Sequence, residues 1–526
     1  MTPPRLRYPS LILLVGLGLG LLSALMTYNK PLGVSFPMIM LVTIVALTGF
    51  AAVEGIDLRF SGLVLATPLM FFAVLYAVRA EPLVRFLNLS GALILLLLFA
   101  NRMTGKPATE WNVLGYVGST IETGLLSAFA PFLTVVEAAK RTDLKGQTSA
   151  SIRRVLIGLA IAIPFLVIFT VLLASADLVF GGVLENLFAS LNLGSVVGHL
   201  FLTLVFAWLI IGLLTYGLSR LPDGALNWNA PWQPKQAPDD EGAEAAASPR
   251  PLIIGMVESG IVLFLIDALF VAFVAVQFTV LFGGEQFLES RGLTYSEYAR
   301  RGFFELVAVA ALSLGLLLVL DFITKREGQG QRRLFVIGSG LMISMNLVML
   351  VSAFTRMQLY EQAFGFTRLR VFTHVFMVWL AFLIIAFIVL LAAQRTRLFA
   401  TALLIFGMGY AATLNLLNTD LFIVRQNVAR YEAGEDLDVA YLGTLSADAV
   451  PGLLPLLADY PDEITEEAGP WLLFQWQQAD LRERRAGLFS YHVSWQRAYT
   501  LLETERDVIE TYPVADRFFY DEFEER

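Results

Sequence analysis

The sequence predicts an all-α polytopic membrane protein with about twelve transmembrane helices and a small C-terminal helical domain outside the membrane. Of its 526 residues, 57% are hydrophobic and only 16% are charged, and the mean hydropathy is +0.68. The apolar residues come in blocks of roughly 17 to 25, the length that an α-helix needs to cross about 30 Å of hydrocarbon. This composition excludes an ordinary soluble chain, and the long blocks are not the alternating strands of a barrel.

Twelve apolar segments follow one another along the chain, and a polar segment divides them. They lie at 10–27, 34–53, 61–79, 86–102, 113–136, 155–175, 195–219, 252–282, 303–323, 334–354, 371–394 and 397–418. Residues 221–250 combine proline, alanine and acids without apolar periodicity, which predicts a disordered acidic, proline-rich linker. We therefore expect a first membrane half at 1–220 with about seven spans and a second at 251–418 with about five.

The segment after the last span, 419–526, has the pattern of a small acidic helical domain. Apolar positions recur at helical spacing in "AVPGLLPLLADY" and "GPWLLFQWQQADL", with proline and glycine between them. The segment holds nine arginines, no lysine and more than twenty carboxylates. Such a domain is repelled by nucleic acid and by anionic lipid, so we expect a protein partner for it, if any, and no nucleic acid.

The distribution of cations predicts the orientation of the chain. Short loops after the fifth, ninth and eleventh spans are rich in lysine and arginine and are therefore expected in the cytoplasm. Residues 176–194 contain neither residue, which fits the opposite side. Continued alternation places the C-terminal domain outside the cytoplasm. The same alternation, followed back to the start of the chain, also places the N-terminus outside the cytoplasm. The positive charges of Arg5 and Arg7 favour the cytoplasm instead, so the number of spans could be even or odd.

Charged residues near the predicted outer ends of the spans form a candidate binding cluster. On a helix Arg301 and Glu305 are four residues apart and share a face. Asp267 lies mid-span in "VLFLIDALFVAF" and needs a partner across the bundle. The candidate residues are Arg301, Glu305, Arg368, Arg370, His374, Glu122, His199 and Asp267. Carboxylates and histidines can bind a cation or relay protons, and arginines can hold an anionic group. The alternative is that these charges snorkel to the interface or lock the bundle.

Other chemistry has little support in the sequence. There are no cysteines and three histidines, so we expect no metal site, and no nucleotide-binding, kinase or zinc-protease motif is present, so we expect no cofactor. Spans five to eight weakly resemble spans nine to twelve in the order of their charges, as in transporters built from repeats. Gly16 and Gly20 form a small-xxx-small pair, which indicates close helix packing.

Four motifs, in order, resemble a known family over roughly the last three fifths of the chain. They are "YSEYARRGFFEL" (295–306), "GFTRLRVFTHVFMVWLA" (365–381), "LNTDLFIVRQNVARY" (417–431) and "DLDVAYLGTLSADAVPGLLPL" (436–456). They are similar to bacterial polytopic membrane proteins of the domain of unknown function 4153 or 4173 type. The resemblance implies a bacterial cytoplasmic membrane protein with a helical tail and brings no catalytic residues. It directs attention to a membrane-exit motif of Asn418, Asp420, Arg425, Asn427 and Asp438.

Three functions remain open. The leading hypothesis is a transporter-like role for a small solute, ion or lipid, with the polar cluster as its site. The second is an envelope regulator or scaffold embedded in the lipid bilayer that acts through the C-terminal domain. The third is an intramembrane lipid-modifying enzyme, for which Glu305 with His374 is the pair to test; an enzyme is the less expected class.

Overall fold

The computed structural model describes residues 6–58, 60–103, 113–141, 194–218, 255–289, 303–326, 328–460 and 462–513. Within these residues the chain is helical and forms no strand. The membrane part contains α1 (Pro9–Thr27), α2 (Ser35–Glu54), α3 (Phe60–Leu63), α4 (Ala66–Tyr76), α5 (Pro82–Arg102), α6 (Val113–Arg141), α7 (Gly194–Leu218), α8 (Met256–Glu289), α9 (Phe303–Ile323), α10 (Gln329–Phe364), α11 (Arg368–Ala392) and α12 (Phe399–Leu417). The C-terminal part contains α13 (Thr419–Glu432), α14 (Val439–Gly443), α15 (Val450–Leu453), α16 (Asp462–Arg485), α17 (Val493–Thr504) and α18 (Arg506–Ile509).

Nine helices among the described residues are long and apolar enough to cross a membrane, which confirms the polytopic helical class but not the count of about twelve. They are α1, α2, α5 and α7 to α12. The predicted span 61–79 contains α4, whose 11 residues reach only about 16 Å and cannot cross the hydrocarbon core. The predicted span 113–136 falls within the 29-residue helix α6, which is not among the nine. The predicted span 155–175 and the linker 221–250 lie outside the described residues.

Two glycines of α1 let its backbone lie directly against α7. A Cβ on Gly20 would be 2.6 Å from the carbonyl oxygen of Thr203 and 2.7 Å from the backbone nitrogen of Ala207. A Cβ on Gly16 would be 2.2 Å from the Ile211 side chain. The close packing expected from the small-xxx-small pair is therefore present, with α7 as the partner helix.

The membrane helices form two apolar cores that meet at α12. The first core is built from α1, α2, α4, α5 and α7, and it includes Ala411 of α12. The second is built from α8 to α11, and it includes Phe399 at the other end of α12. Since α12 packs on α5 and α6 as well as on α11, this helix joins the two membrane halves.

The helices after α12 enclose a third core, which confirms a small C-terminal helical domain. Its buried side chains come from α13 to α18, together with Val371 of α11. Gly443 allows the Trp471 ring of α16 to pack directly on α14, because a Cβ there would meet that ring at 2.2 Å. The core is continuous with the start of α11, so the domain is fixed to the end of the bundle.

Candidate functional site

A buried aspartate of the C-terminal domain holds the segment between α4 and α5. Asp448 is 4% exposed, and its Oδ2 accepts hydrogen bonds from the backbone nitrogens of Ala80, at 2.6 Å, and Glu81, at 3.1 Å. The Ser494 hydroxyl donates to Asp448 Oδ1, and the Arg79 guanidinium lies 3.9 Å from the same oxygen. One carboxylate from the end of the chain thus satisfies backbone donors near its beginning.

A second buried aspartate pairs with the arginine that begins α11. Asp420 is fully buried and accepts from Arg368 Nε at 2.8 Å and from Arg368 Nη2 at 2.6 Å, a two-point ion pair. The backbone nitrogen of Ser446 donates to Asp420 Oδ2 at 2.8 Å. Glu81 Oε1 lies 3.7 Å from Arg368 Nε, so this arginine lies between carboxylates from α13 and from the start of α5. We call Arg79, Glu81, Arg368, Asp420 and Asp448 the junction network.

Burial controls the ionisation of the junction network outside the spans. It raises the pKa of Asp448, although hydrogen bonds from Ser494 and Ala80 oppose the shift. It also raises the pKa of Glu81, against the hydrogen bonds from the first turn of α5. Tyr441, whose hydroxyl accepts a hydrogen bond from the backbone nitrogen of Arg368 at 2.8 Å, has its pKa raised by burial to about 12. The network is therefore a desolvated set of groups rather than a hydrated charge cluster.

Arg370 and His374 of the predicted cluster are held by other protein groups. Arg370 lies over the Tyr360 ring at 4.1 Å and donates to the carbonyl oxygens of Phe364, at 3.0 Å, and Gly365. His374 Nδ1 lies 2.9 Å from Glu361 Oε2. These contacts tie α11 to the end of α10.

The membrane-exit motif is also built into the junction. Asn427 donates to the carbonyl oxygen of Phe366 at 2.9 Å and accepts from its backbone nitrogen at 2.8 Å. Gly365, the residue before Phe366, has a φ of 76°, and a Cβ at this position would be 2.5 Å from Asn427 Oδ1. Asn418 adopts the left-handed conformation between α12 and α13. Asp438 accepts from the Tyr441 backbone nitrogen and caps α14, whereas Arg425 is exposed.

The remaining predicted residues lie elsewhere. Glu305 is exposed in the first turn of α9, and Arg301 lies outside the described residues. His199 accompanies Tyr28 at a ring separation of 4.2 Å. Asp267 is 5% exposed and packs against Gly338 of α10. Glu122 is next to Thr123, which accepts a hydrogen bond from Asn101 at the C-terminal end of α5. That end of α5 is about 30 Å along the helix from Glu81. The structure does not bring Glu122 or Asp267 to Arg368.

Glu81, Asn88 and Asn415 were not among the residues predicted from the sequence. Glu81 precedes Pro82 at the start of a helix, an arrangement typical of a cap, and its side chain does accept from Val84 at 2.6 Å. Asn88 and Asn415 exchange hydrogen bonds of 2.9 and 2.8 Å between α5 and α12. Their partners are more than 300 positions away, beyond any local pattern. No group of three or more His, Asp or Glu residues suited to a metal occurs in the described part of the chain.

A groove of about 530 Å³ lies at the contact of the two membrane halves. It is lined by α4, α5, α6 and α12, and its walls are apolar except for Ser90, Tyr116 and Thr120. Side chains at its edge are exposed, including Ile94 at 42% and Val117 at 52%. One end is bounded by a hydrogen bond of 3.0 Å between Tyr116 and Thr401. The groove is therefore open along the apolar flank of the bundle.

Comparison with known proteins places this architecture in a family. Residues 66–456, from α4 into the C-terminal domain, match the family described as Domain of unknown function (DUF4153). Neither the curated proteins nor the solved structures contain a match. The match covers well over half of the chain and includes all five residues of the junction network. The resemblance predicted from four sequence motifs is confirmed, and this multi-pass membrane protein belongs to the DUF4153 family.

Proposed function

We propose that this protein is a transporter-like membrane protein that binds the hydrocarbon chain of a bilayer lipid in the groove between its two halves. The observation that carries the proposal is the apolar groove of about 530 Å³ on α4, α5, α6 and α12. No charged side chain lines it among the described residues. Its chemistry excludes an ion and suits a ligand that is already dissolved in the bilayer.

The size and place of the groove match such a ligand. Its lining runs from Leu87 to Leu98 on α5 and from Ala400 to Ala411 on α12, and each stretch is about 16 Å long. This length equals about half of the hydrocarbon thickness, which is long enough to hold most of one acyl chain. The groove is centred on the middle of α5 and lies where the two halves meet, as substrate sites in many transporters do.

Gly407 of α12 provides a test of binding. It lines the groove, and no atom lies within 4 Å of a Cβ placed on it, so Gly407→Phe fills the groove without a backbone clash. Gly49 of α2 has the same free space outside the groove, and Gly49→Phe is the matched control. The measurement is photocrosslinking of a phospholipid with a diazirine in its acyl chain, in nanodiscs, with adducts mapped by mass spectrometry. We expect adducts on α5 and α12 that Gly407→Phe removes and Gly49→Phe keeps.

Movement of lipid is measured separately from binding. In vesicles containing a fluorescent phospholipid, the protein should accelerate transfer between leaflets, and Gly407→Phe should abolish the acceleration. Equal crosslinking in both glycine variants would refute the binding site. Crosslinking without accelerated transfer would keep the site and remove the transport function. Ser90→Phe fills the groove from α5 and checks that the result does not depend on α12.

The docked C-terminal domain favours a second candidate, an envelope regulator or scaffold that binds a protein partner. Asp448 and Ser494 fix the domain to the segment between α4 and α5, and Asp420 fixes it to α11. A domain held at several points presents its acidic surface in one orientation. An outward-facing domain in the cytoplasmic membrane of a bacterium suits this role. If this is the function, substitutions in the domain surface should abolish activity in cells, whereas Gly407→Phe should have no effect.

A further inference from the structure

A pocket of about 280 Å³ lies where the C-terminal domain meets the turn between α1 and α2. Its wall includes Pro31, Arg482, Ser490, His492 and Trp495. The pocket is joined to the membrane part by hydrogen bonds on both sides. The Val34 backbone nitrogen donates to the Tyr491 carbonyl oxygen, and the Val493 backbone nitrogen donates to the Ala77 carbonyl oxygen, each at 2.9 Å.

Two arginines place their guanidinium groups over the Trp495 ring. The guanidinium carbon of Arg85 lies 4.7 Å from the Trp495 ring centroid, and that of Arg482 lies 4.3 Å from it. The two cations are therefore within about 9 Å of each other. Among the described residues neither arginine forms an ion pair, and Arg85 donates instead to the Tyr76 hydroxyl at 2.9 Å. An anion bound between or beside two neighbouring guanidinium groups interacts favourably with both and offsets their mutual repulsion.

Four other groups at the pocket affect the binding of an anion. Lys30 stands beside Gly487 of the pocket wall, with its Nζ 3.9 Å from the position of a Cβ on that glycine. Ser490 is 3% exposed, and its hydroxyl oxygen makes no hydrogen bond in the described residues. Burial, with the nearby Arg85 charge, lowers the pKa of His492 to about 3, so this ring is neutral at physiological pH. Glu483 is the one carboxylate in the described wall.

The pocket lies beside the ends of two helices that are long and apolar enough to cross a membrane. Arg85 is in the first turn of α5, a membrane-spanning helix, and Pro31 follows the end of α1. On α5, Arg85 is nine residues from Ile94 of the groove, which is about 180° around the helix. Arg85 and the groove residue Ile94 therefore lie on opposite faces of α5.

We propose that the pocket lined by Arg482 and Trp495, with Arg85 in contact with the Trp495 ring, binds a phosphate-bearing anion, with the phosphate group of an anionic phospholipid as its occupant. Arginine binds phosphate through paired hydrogen bonds, and Trp495 holds both guanidinium groups in place by stacking. This site goes beyond the lipid-chain groove and does not depend on it, because no residue is shared between them.

The test measures retained lipid by native mass spectrometry of the full-length protein. The probes are mixed micelles of phosphatidylcholine with one fifth phosphatidylglycerol and, separately, inorganic phosphate added to protein in phosphatidylcholine alone. We expect Arg482→Gln to weaken retention of phosphatidylglycerol about tenfold or more, the usual scale of one charge-assisted hydrogen bond. Arg497→Gln, on the same helix as Trp495 and exposed, should leave retention unchanged. Glu483→Gln should strengthen retention.

The outcomes separate the two sources of phosphate. Loss of phosphatidylglycerol in Arg482→Gln but not in Arg497→Gln supports a lipid head group. If inorganic phosphate binds wild type and not Arg482→Gln while phosphatidylglycerol is not retained, the phosphate site stands and the lipid occupant is wrong. Equal retention of both probes by wild type, Arg482→Gln and Arg85→Gln refutes the site. Gly407→Phe should leave all of these results unchanged, which distinguishes failure of this site from failure of the groove.

Discussion

Arg368 and Asp420 form a two-point ion pair at one end of the bundle. Arg368 lies at the start of α11, and Asp420 lies at the start of α13, so the pair joins these two helices. The two bonds measure 2.8 and 2.6 Å, and the aspartate side chain is fully buried. The pair therefore lies at the attachment of the C-terminal domain. Its neighbours Glu81 and Ser446 come from opposite ends of the chain, so the pair also connects three parts of the molecule.

Arg368→Gln should lower the free energy of unfolding by about 3–5 kcal/mol, because the substitution leaves the buried carboxylate of Asp420 without its charged partner. Thermal unfolding in detergent micelles, with protease cleavage as a second reading, measures the change. Arg425→Gln is the matched control on α13, since that side chain is exposed. Similar losses in the two variants would show that the ion pair does not hold the domain.

Attachment of the C-terminal domain should weaken as the pH rises. Burial raises the pKa of Asp448 and of Glu81, so the folded protein binds protons more tightly than the unfolded chain does. Stability is then fully present below the ordinary carboxyl pKa of about 4 and is lost as the pH rises through the raised values. The measurement is the unfolding midpoint between about pH 4 and 8. Asp448→Asn together with Glu81→Gln should flatten the profile, and an unchanged slope would contradict this assignment.

Gly20→Ala should destabilise the contact of α1 with α7 far more than Gly18→Ala. A methyl group on Gly20 would overlap the backbone of Thr203 and Ala207, whereas nothing lies within 4 Å of a Cβ on Gly18. Overpacking of this kind costs about 1–3 kcal/mol. The unfolding midpoints of the two variants measure it, and a shift of similar size in both would mean that the helices do not pack at Gly20.

Asn88 and Asn415 should show energetic coupling. Asn88→Leu or Asn415→Leu alone leaves one buried amide unsatisfied at a cost of about 1–3 kcal/mol, while the double variant removes both amides and recovers part of that loss. A double-mutant cycle on the unfolding free energy measures the coupling. Strict additivity would exclude the reciprocal hydrogen bonds as the source of stability.

Cysteine labelling of intact cells tests the orientation of the C-terminal domain. Because the chain has no native cysteine, a single one at Leu488, which is 83% exposed, reports the domain side. A second at Gly330, exposed at the start of α10, reports the other end of the bundle. We expect a membrane-impermeant maleimide to label position 488 and not 330. The reverse pattern would place the domain in the cytoplasm.

The spans could be predicted because the thickness of the hydrocarbon core sets the length of the apolar segment that crosses it. The segment 61–79 shows the limit of this reasoning. It is apolar apart from Ser61, Thr67 and Arg79, yet the chain turns at Val64 and Leu65. Helix α4 has Pro68 in its first turn, where a missing backbone donor costs nothing. Composition alone does not reveal such a break within a continuous apolar run.

The junction network was only half predictable. The sequence drew attention to Arg368 and to Asp420, but in separate groups, since 52 positions separate them and their contact depends on the fold. Asp448 and Ser494 were not predicted, because a single polar residue in a short turn or in the first turn of a helix gives no pattern. Glu305 and Asp267 were predicted because they are charged residues within spans; Glu305 is exposed in the first turn of α9, and Asp267 packs against Gly338, away from the network.

The Ser494 hydroxyl, which donates to Asp448, also lies against the carbonyl oxygen of Val78, 416 positions earlier in the chain, and this contact forms late in synthesis. At about 5–20 residues per second, the segment between α4 and α5 waits roughly 20–80 s before its partner leaves the ribosome. Through that interval the backbone donors of Ala80 and Glu81 lack the carboxylate that will bind them. The segment between α4 and α5 therefore reaches its final hydrogen bonds only after Asp448 and Ser494 have been synthesised.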